Sequence, residues 1–444
     1  MSKQEKILKP VGKIRGGARL PHYKKTAETE SVILAPPEKV VISMSQHIGA
    51  PCEPTVKAGD KVFVGTVIGD SDAFVSAPIH SSVSGEVTEI TTIRMPAGNE
   101  VKAVVIASDG EMTPDPEIKP PKVETVEDLL AAARASGLVG LGGAGFPAHV
   151  KLKPSEDKPI DTLIINGAEC EPFITADYRE CMENPNDILG GVYLLKNLLG
   201  IEKVIIGVED NKPKAIKTLH EIASHEQDVE DTVKLMKLKS RYPQGAEKVL
   251  IYSATKRKLP LGKLPADIGC IVMNITSIAF LYRYIKTGMP LVTKRITVDG
   301  NAITEPKNLI VPIGTPIEHV LDYCKAENPE KVMMGGPMMG IAVYDTSLPI
   351  LKQNNAILAF SGKQAQSKPT TDCIRCGRCM RACPMSLTPA AVDFAVKNPK
   401  AEELNALNVM YCMECGSCAF ACPAGRPLTA VMRLAKNEVR KAGK

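Results

Sequence analysis

Cys373-Ile-Arg-Cys376-Gly-Arg-Cys379-Met-Arg-Ala-Cys383-Pro384, and then Cys412-Met-Glu-Cys415-Gly-Ser-Cys418-Ala-Phe-Ala-Cys422-Pro423: both runs read C-x2-C-x2-C-x3-C-P. This spacing holds a [4Fe–4S] cluster with three thiolates, while the fourth cysteine reaches the partner cluster. It predicts one cluster on Cys373, Cys376, Cys379 and Cys422, and a second on Cys412, Cys415, Cys418 and Cys383. Zinc sites come as two C-x2-C halves closing a tetrahedron, which explains neither the tandem triplets nor the proline after each fourth cysteine.

The filler between the cassettes is helical. Thr388-Pro-Ala-Ala-Val-Asp-Phe-Ala opens with an N-cap residue and a proline at the first helical position, and Ala401-Glu-Glu-Leu-Asn-Ala-Leu follows. A small bacterial ferredoxin would need β-branched strand pairs there, so an α-helical dicluster ferredoxin domain is expected over 363–444. Its basic tail, Arg433 to Lys444, is a solvated helix face or a dock for an acidic carrier or lipid headgroups.

The rest of the chain must feed these clusters. Its 444 residues, 44% hydrophobic, have room for two to four domains. With 55 basic residues against 50 acidic, no Trp and 8 Phe, neither a strong charge nor a base-stacking surface favours nucleic acid. The five cysteines outside the cassettes (Cys52, Cys170, Cys181, Cys270, Cys324) are odd in number and scattered, which suggests reduced thiols in a cytosolic compartment. The start, Met-Ser-Lys-Gln-Glu-Lys, lacks a signal-peptide core. Ile268 to Ile285 is interrupted by Asn274, Thr276, Ser277 and Arg283, so it reads as a buried strand and helix. Any membrane contact is expected to be indirect, through partners.

Taken in order, residues 1–30 form a basic arm suited to lie over another domain. Over 31–110, V-x-x-G-D-x-V-x-x-G-x-x-I-G followed by A-P-x-x-x-x-V-x-G-x-V resembles the lipoyl/biotinyl barrel-sandwich domain. No lysine stands between Gly69 and Ser81, so scaffold rather than cofactor carrier is expected. After the proline-rich linker near 111–122, a helix capped by Thr125 and alternating strands and helices predict an α/β domain over 111–290. The β-α-β spacing of 291–362 is compatible with a β-grasp module.

Inside the α/β domain lies Gly140-Leu-Gly142-Gly143-Ala-Gly145-Phe146-Pro147-Ala-His149-Val-Lys151. A helix precedes this loop where a dinucleotide fingerprint needs a strand. Four glycines in six residues still imply backbone packed against a phosphate or a flat ring, with Lys151 adding charge and Phe146 an aromatic face. Asn166-Gly-Ala-Glu169-Cys170-Glu171-Pro172, with Asp177 beyond, places carboxylates at a strand end, where they repel unless they hold something. Arg241-Tyr242-Pro-Gln-Gly245-Ala-Glu247-Lys248 opens a helix, and Asn274-Ile-Thr276-Ser277 ends a strand.

Together these blocks resemble the FMN- and NADH-binding subunit of respiratory complex I. They resemble still more closely the RnfC subunit of the Rnf complex, the ion-translocating ferredoxin:NAD oxidoreductase, and the resemblance extends to Ser45-Gln-His-Ile-Gly-Ala-Pro-Cys52. It implies a multidomain α/β chain: barrel-sandwich (lipoyl-like), Rossmann-like FMN/NADH, β-grasp (SLBB) and helical 2×[4Fe–4S] ferredoxin domains. It also implies that Gly140, Gly142, Gly143, Lys151, Asn166, Glu169, Cys170 and Asn274 surround the flavin and its phosphate, Gly145 closing the loop. Phe146 and Glu171 would meet NAD(H), and Tyr242, Gly245 and Glu247 would support both. The implied activity is electron flow between NAD(H) and ferredoxin coupled to Na+ or H+ translocation. The protein would be peripheral on the cytoplasmic face of the membrane, with the Rnf membrane subunits and the ferredoxin-like RnfB as partners. Chemistry then belongs to the cofactors, so no catalytic acid or base is expected. Two departures stand out: the arm reads Gly16-Gly-Ala-Arg-Leu-Pro21 where the family has G-G-x-H-P, and Cys170 stands where the complex I protein has serine. A related soluble cobalamin reductase shares the flavin loop and both clusters and differs in partner.

Overall fold

The computed structural model describes residues 7–153, 158–224 and 232–443; the polar start at residues 1–6 and Lys444 at the end of the basic tail lie outside the described residues. From Lys39 to Ser108 two small antiparallel sheets face each other. One orders Lys39–Ser43, Glu100–Ser108, Gly85–Arg94 and Lys61–Val62; the other orders Glu53–Pro54, Val67–Asp70 and Ile79–His80. Val40, Ile42, Ile68, Ile79, Val87 and Ile106 fill the space between them. The turn beyond Asp70 docks onto the following unit: Arg134 donates to the Asp70 carboxylate at 2.8 Å and to the Ser71 carbonyl at 2.9 Å.

Arg134 lies on the helix Val126–Ala135, whose start is a reciprocal capping box between Thr125 and Asp128. Such a cap contributes about 1 kcal/mol. Next comes a parallel sheet ordered Val233–Leu238, Lys203–Glu209, Thr162–Gly167, Cys270–Asn274. Helices cover both faces, so Leu163 and Ile165 point into one apolar cluster and Ile164 into another. In chain order the strands run 3-2-1-4. The order reverses between Thr162–Gly167 and Cys270–Asn274, and at such a reversal the carboxyl ends of the strands leave a crevice for ligand.

A six-stranded mixed sheet follows, ordered Val32–Ile33, Lys307–Pro312, Thr293–Asp299, Ala356–Phe360, Lys331–Met334, Ile341–Val343. Val32 and Ile33 pair in parallel with Leu309 and Ile310, so these two residues belong to this sheet and the chain enters the first barrel only at Lys39. Beyond Ser361 the described chain is helical, from Arg378–Ala382 to Leu428–Ala442. Thr388 stands at the N-cap of Pro389–Ala395 without making a side-chain cap bond; Pro389 at the first position sets that helix.

The arm runs across the parallel-sheet unit, the helical end of the chain and the mixed sheet. Leu8 bridges Met236 at the edge of the parallel sheet, Ala18 bridges Tyr242, and the Gly17 amide donates to Ala382 O at 2.8 Å. Tyr23 stacks on Phe173, and the Thr26 carbonyl accepts from Asn308 of the mixed sheet. Gly16 and Gly17 have φ of +75° and +79°, and a Cβ on Gly16 would lie 2.6 Å from the Cys383 carbonyl. Glycine is required there by both conformation and space.

Candidate functional site

The glycine loop closes on itself through Gly140 N–H to Phe146 O at 2.9 Å. It is held from three sides. Leu141 N donates to Ser277 Oγ at 3.0 Å, buried Lys294 of the mixed sheet donates to Leu141 O at 3.1 Å, and Ile48 N of the barrel donates to Gly145 O at 3.1 Å. The last contact gives the Ser45–Cys52 segment its place. A Cβ on Gly142 would lie 2.3 Å from the Asn274 side-chain nitrogen, whereas one on Gly143 would meet nothing within 4 Å. Gly142, Gly143 and Ala144 are exposed, and among the described residues their amides donate to no carbonyl of the chain. A tight loop with outward, unengaged amides is a cradle for an anion or a ring face.

The loop lies over the carboxyl ends of the two strands at the reversal point. Asn166 donates to Gly245 O at 2.9 Å and accepts from Ala168 N, which fixes its amide. Gly245 packs so closely that a Cβ would lie 2.4 Å from Ala168 O and 3.6 Å from the Cys170 sulfur. Asn274 caps the helix Ile275–Thr287, accepting from Thr276 N and Ser277 N. Its nitrogen donates to Asp177 Oδ2 at 2.9 Å. Lys151 spans Glu247 Oε2 at 3.1 Å and Val272 O at 3.0 Å. Gly140, Gly142, Lys151, Asn166, Gly245, Glu247 and Asn274 are thus linked around one crevice.

The acidic block is engaged within the chain. Glu169 accepts from Asp177 N at 2.7 Å at the start of the helix Ala176–Glu183. Glu171 accepts from Met338 N and Met339 N, both at 3.0 Å, on the loop after Lys331–Met334. Asp177 takes Asn274 and Thr276. The mutual repulsion expected of these carboxylates is relieved by amide and hydroxyl donors and by Lys24. That lysine, from the arm, donates to Glu169 O at 3.1 Å, to Glu171 O at 2.8 Å and to Ile174 O. Burial pushes the carboxyls of Glu169 and Glu171 up to about 7, outweighing in Glu171 the two Met amides that pull it down. Burial likewise pushes the Cys170 thiol up to about 12, so it sits in the site as a neutral group.

Tyr242 is buried beside Cys170, Glu171 and Cys415, and burial followed by Glu171 raises its phenol well above the usual range. Its backbone exchanges hydrogen bonds with Ala18, 2.8 and 3.0 Å. Gly416, between Cys415 and Cys418, rests on Met338; a Cβ there would lie 2.8 Å from the Met338 carbonyl. Met338 therefore touches both the Glu171 carboxylate and the second cassette.

The cassettes cross. One recess is lined by Cys383, Cys412, Cys415 and Cys418; the other by Cys373, Cys376, Cys379 and Cys422. In each, four thiols surround a hollow. Among the described residues no three His, Cys, Asp or Glu side chains are grouped so as to hold a metal ion. An all-thiol donor set around a hollow fits a cube of iron and sulfide, whereas one tetrahedral ion needs its sulfurs about 2.3 Å from a common point.

Lys24, Lys294 and the Met338–Met339 amides were not among the site residues expected from sequence. Lys294 did carry a signal: Lys294-Arg295 is a charged pair inside the β-branched run Thr293–Asp299, and both side chains are buried.

Three family models match parts of the chain. Residues 12–111 match the RnfC barrel sandwich hybrid domain, 133–283 the Nuo51 FMN-binding domain, and 366–433 a 4Fe-4S dicluster domain. The chain is 42% identical over 97% of its length, and 94% of the relative's, to the C subunit of the proton-translocating ferredoxin:NAD(+) oxidoreductase complex of Clostridium ljungdahlii. It is 42% identical to the Na(+)-translocating counterpart of Acetobacterium woodii, covering 96% of this chain and 97% of the other. Among solved structures, a chain of an NAD+-reducing [NiFe]-hydrogenase superposes with a TM-score of 0.51 at 17% identity, covering 71% of this chain and 63% of that one, a likeness of fold alone.

Proposed function

This chain belongs to the RnfC family, the C subunits of the ion-translocating ferredoxin:NAD(+) oxidoreductase complexes, and we propose that it is the NAD(H)-facing electron-transfer component of such a complex. It carries FMN and two [4Fe–4S] clusters and serves electron flow between NAD(H) and ferredoxin that drives ion translocation. FMN, when bound, exchanges a hydride with NAD(H) and single electrons with iron–sulfur clusters.

The chain's own residues bind, orient and connect. The amides of Gly142, Gly143 and Ala144, with Gly140, Lys151, Asn166 and Asn274, would hold the flavin and its phosphate. Asp177 orients Asn274, and Lys294 and Ser277 fix the loop on which Gly142 and Gly143 stand. Phe146 offers NAD(H) an aromatic face at the rim. Glu171, with a carboxyl near 7, can hold a proton at neutral pH while it ties the acidic strand end to Met338. Cys170 and Tyr242 fill the space between crevice and second cassette as neutral groups, which excludes water from that path.

One observation carries this reading: Met338 contacts Glu171 on one side and Gly416 on the other. The recess of Cys383, Cys412, Cys415 and Cys418 is thereby the one next to the crevice, and that of Cys373, Cys376, Cys379 and Cys422 lies beyond it. The 3-2-1-4 parallel sheet supports a Rossmann-like assignment for 111–290. The mixed sheet, at whose centre Thr293–Asp299 and Ala356–Phe360 pair in parallel, supports a β-grasp (SLBB) assignment for 291–362. We divide the remainder into the arm (1–30), the barrel-sandwich (31–110, with its first residues lent to the mixed sheet) and the ferredoxin domain (363–444). Among the described residues no helix is long and apolar enough to cross a membrane. We place the protein peripherally on the cytoplasmic face, held by the membrane subunits and the ferredoxin-like RnfB of its complex.

Anaerobic purification with flavin and iron assays tests this: about one flavin and about eight irons per chain are expected. Lys151→Ala should depress NADH oxidation while leaving cluster absorbance intact. A chain that binds iron but no flavin refutes the reading.

A further inference from the structure

The glycine loop brings no charge of its own: between Arg134 and His149 the chain has no charged side chain. Lys151, the first lysine after it, is already paired with Glu247 at 3.1 Å. A full positive charge near the cradle must therefore come from another part of the fold. It lies behind the loop, in the turn at 351–354, which Leu351 N closes onto Asn354 Oδ1 at 2.7 Å. Lys352 in that turn is fully buried. Its ammonium donates to Gly137 O and to Pro78 O, both at 2.8 Å, and its backbone N donates to Gln46 Oε1 at 3.0 Å. The mixed-sheet unit, the barrel and the unit that carries the loop thus meet on one residue.

That turn supports the loop at both ends. At the start, Gly137 has φ of +68°, and a Cβ there would lie 2.7 Å from Pro78 O and 2.9 Å from Lys352 Nζ, so glycine is what lets the ammonium reach. At the end, a Cβ on Gly145 would lie 3.5 Å from Gln46 O and 3.7 Å from Gln353 Cβ. The charge between them has no counter-ion. Among the described residues Lys352 forms no ion pair, and the ionisable groups facing it, all from the barrel, are His47, His80 and Cys52. Burial lowers both histidines, with the ammonium adding to the effect, and burial raises the thiol, so all three are neutral at pH 7. The helix that ends before Gly137 has its last-turn charge, Arg134, paired with Asp70 at 2.8 Å, and no carboxylate of the mixed sheet acts on Lys352. Burial lowers Lys352 itself to about 7.

An interior cation without a counter-ion is screened far less than a surface one, so it projects positive potential through the layer it backs. Here that layer is the glycine loop, which carries the outward amides of Gly142, Gly143 and Ala144. We propose that Lys352 is a positioning residue for the flavin phosphate: from behind the loop it supplies the uncompensated charge that makes the cradle prefer a phosphorylated flavin. The inference deepens the function proposed above and rests on its flavin site. Lys294 bears on the same loop at Leu141 O, but Asp177 and Glu180 act on it and offset its charge. Lys352 has no such offset, which makes it the cation that the phosphate feels from this side.

The test uses the full chain with its clusters intact, depleted of flavin anaerobically. It is titrated with FMN and with riboflavin, which has the same ring and no phosphate, and quenching of flavin fluorescence gives both dissociation constants. Lys352→Met removes the ammonium and keeps the apolar stem; Lys352→Gln removes the charge and keeps an NH2 donor. At about pH 6 the preference for FMN over riboflavin should fall about tenfold in both variants, with iron content unchanged. The sign of the pH dependence follows from the ammonium being lowered to about 7. Below pH 7 the parent holds the charge and its gap to the variants is widest; toward about pH 8.5 the charge is lost and the gap closes. Lys294 and the phosphate titrate alike in parent and variants, so they drop out of the gap. A preference that is unchanged in the variants, FMN and riboflavin losing affinity equally, marks a role in folding the loop alone and overturns the proposal. A gap of the same size at both pH values overturns it as well. Where Lys352→Met does not fold, Lys352→Gln decides. A parent that binds no FMN would instead refute the function proposed above.

Discussion

Glu171→Gln tests the joint between the nucleotide crevice and the second cassette. Both carboxylate oxygens accept a backbone amide, Met338 N and Met339 N, each at 3.0 Å. A hydrogen bond to a charged acceptor contributes about 1.5–3 kcal/mol net. Glutamine keeps one accepting oxygen and turns an NH2 toward the other amide, so one bond is lost and two donors face each other. The 335–340 loop should then open more easily by about 2 kcal/mol, which is about 30-fold in its opening equilibrium. Amide hydrogen exchange at Met338 and Met339 reads that equilibrium directly. The sign of the pH dependence follows from the carboxyl being raised to about 7. Above pH 7 the parent holds a carboxylate and the gap to the glutamine variant is widest. Below it the parent is a neutral acid that resembles the amide, and the gap closes. Equal protection at pH 8, or a gap that persists unchanged at pH 6, would refute the account of Glu171 as the tie between the two units.

The crossing of the cassettes is tested by which mutants resemble each other. Cys422→Ser and Cys373→Ser should each leave about four irons of about eight and the same surviving paramagnetic signal. Cys383→Ser should match Cys412→Ser, whereas a match between Cys383→Ser and Cys373→Ser refutes the crossing. Lys294→Met removes the donor on Leu141 O while keeping the apolar stem, leaving a buried carbonyl short by about 1–3 kcal/mol. FMN affinity of the apo-chain, read by fluorescence quenching, should fall about tenfold with iron content unchanged, and equal affinity contradicts the role given to Lys294. His80 is held neutral, its pKa lowered to about 3 by burial and by the charge of Lys352. In the unfolded chain it titrates near about 6.5, so its contribution to stability is lost as pH falls from there toward 3. The melting temperature of His80→Gln should vary less with pH over that window than the parent's; identical slopes would exclude His80 as the cause.

The short-range chemistry was legible because the covalent chain sets it. The C-x2-C-x2-C-x3-C-P spacing places four thiols within a few residues, and the proline and helical filler leave the fourth facing its neighbour's recess, where Cys383 and Cys422 lie. Thr125 declared a helix start that formed as written, and the structure adds Asp128 as its reciprocal partner. Thr388 looked equally clear and makes no cap bond, since Pro389 alone suffices to start that turn. The acidic block was legible as a place where charge had to be answered, but the answers lie far along the chain: Met338 for Glu171, and Lys24 for the carbonyls around it.

Residue types and their spacing therefore determined on their own that the chain bears two cluster cassettes, a glycine loop and an acidic strand end, because each is built from neighbours whose separation the backbone fixes. Only the tertiary structure decided how they are joined: the arm threaded between Tyr242 and Cys383, and the loop of the mixed sheet laid between Glu171 and Gly416. Those choices depend on how separately folded units dock. Docking is governed by surface shape and by the need of each buried charge for a partner, neither of which leaves a period or a motif in the sequence.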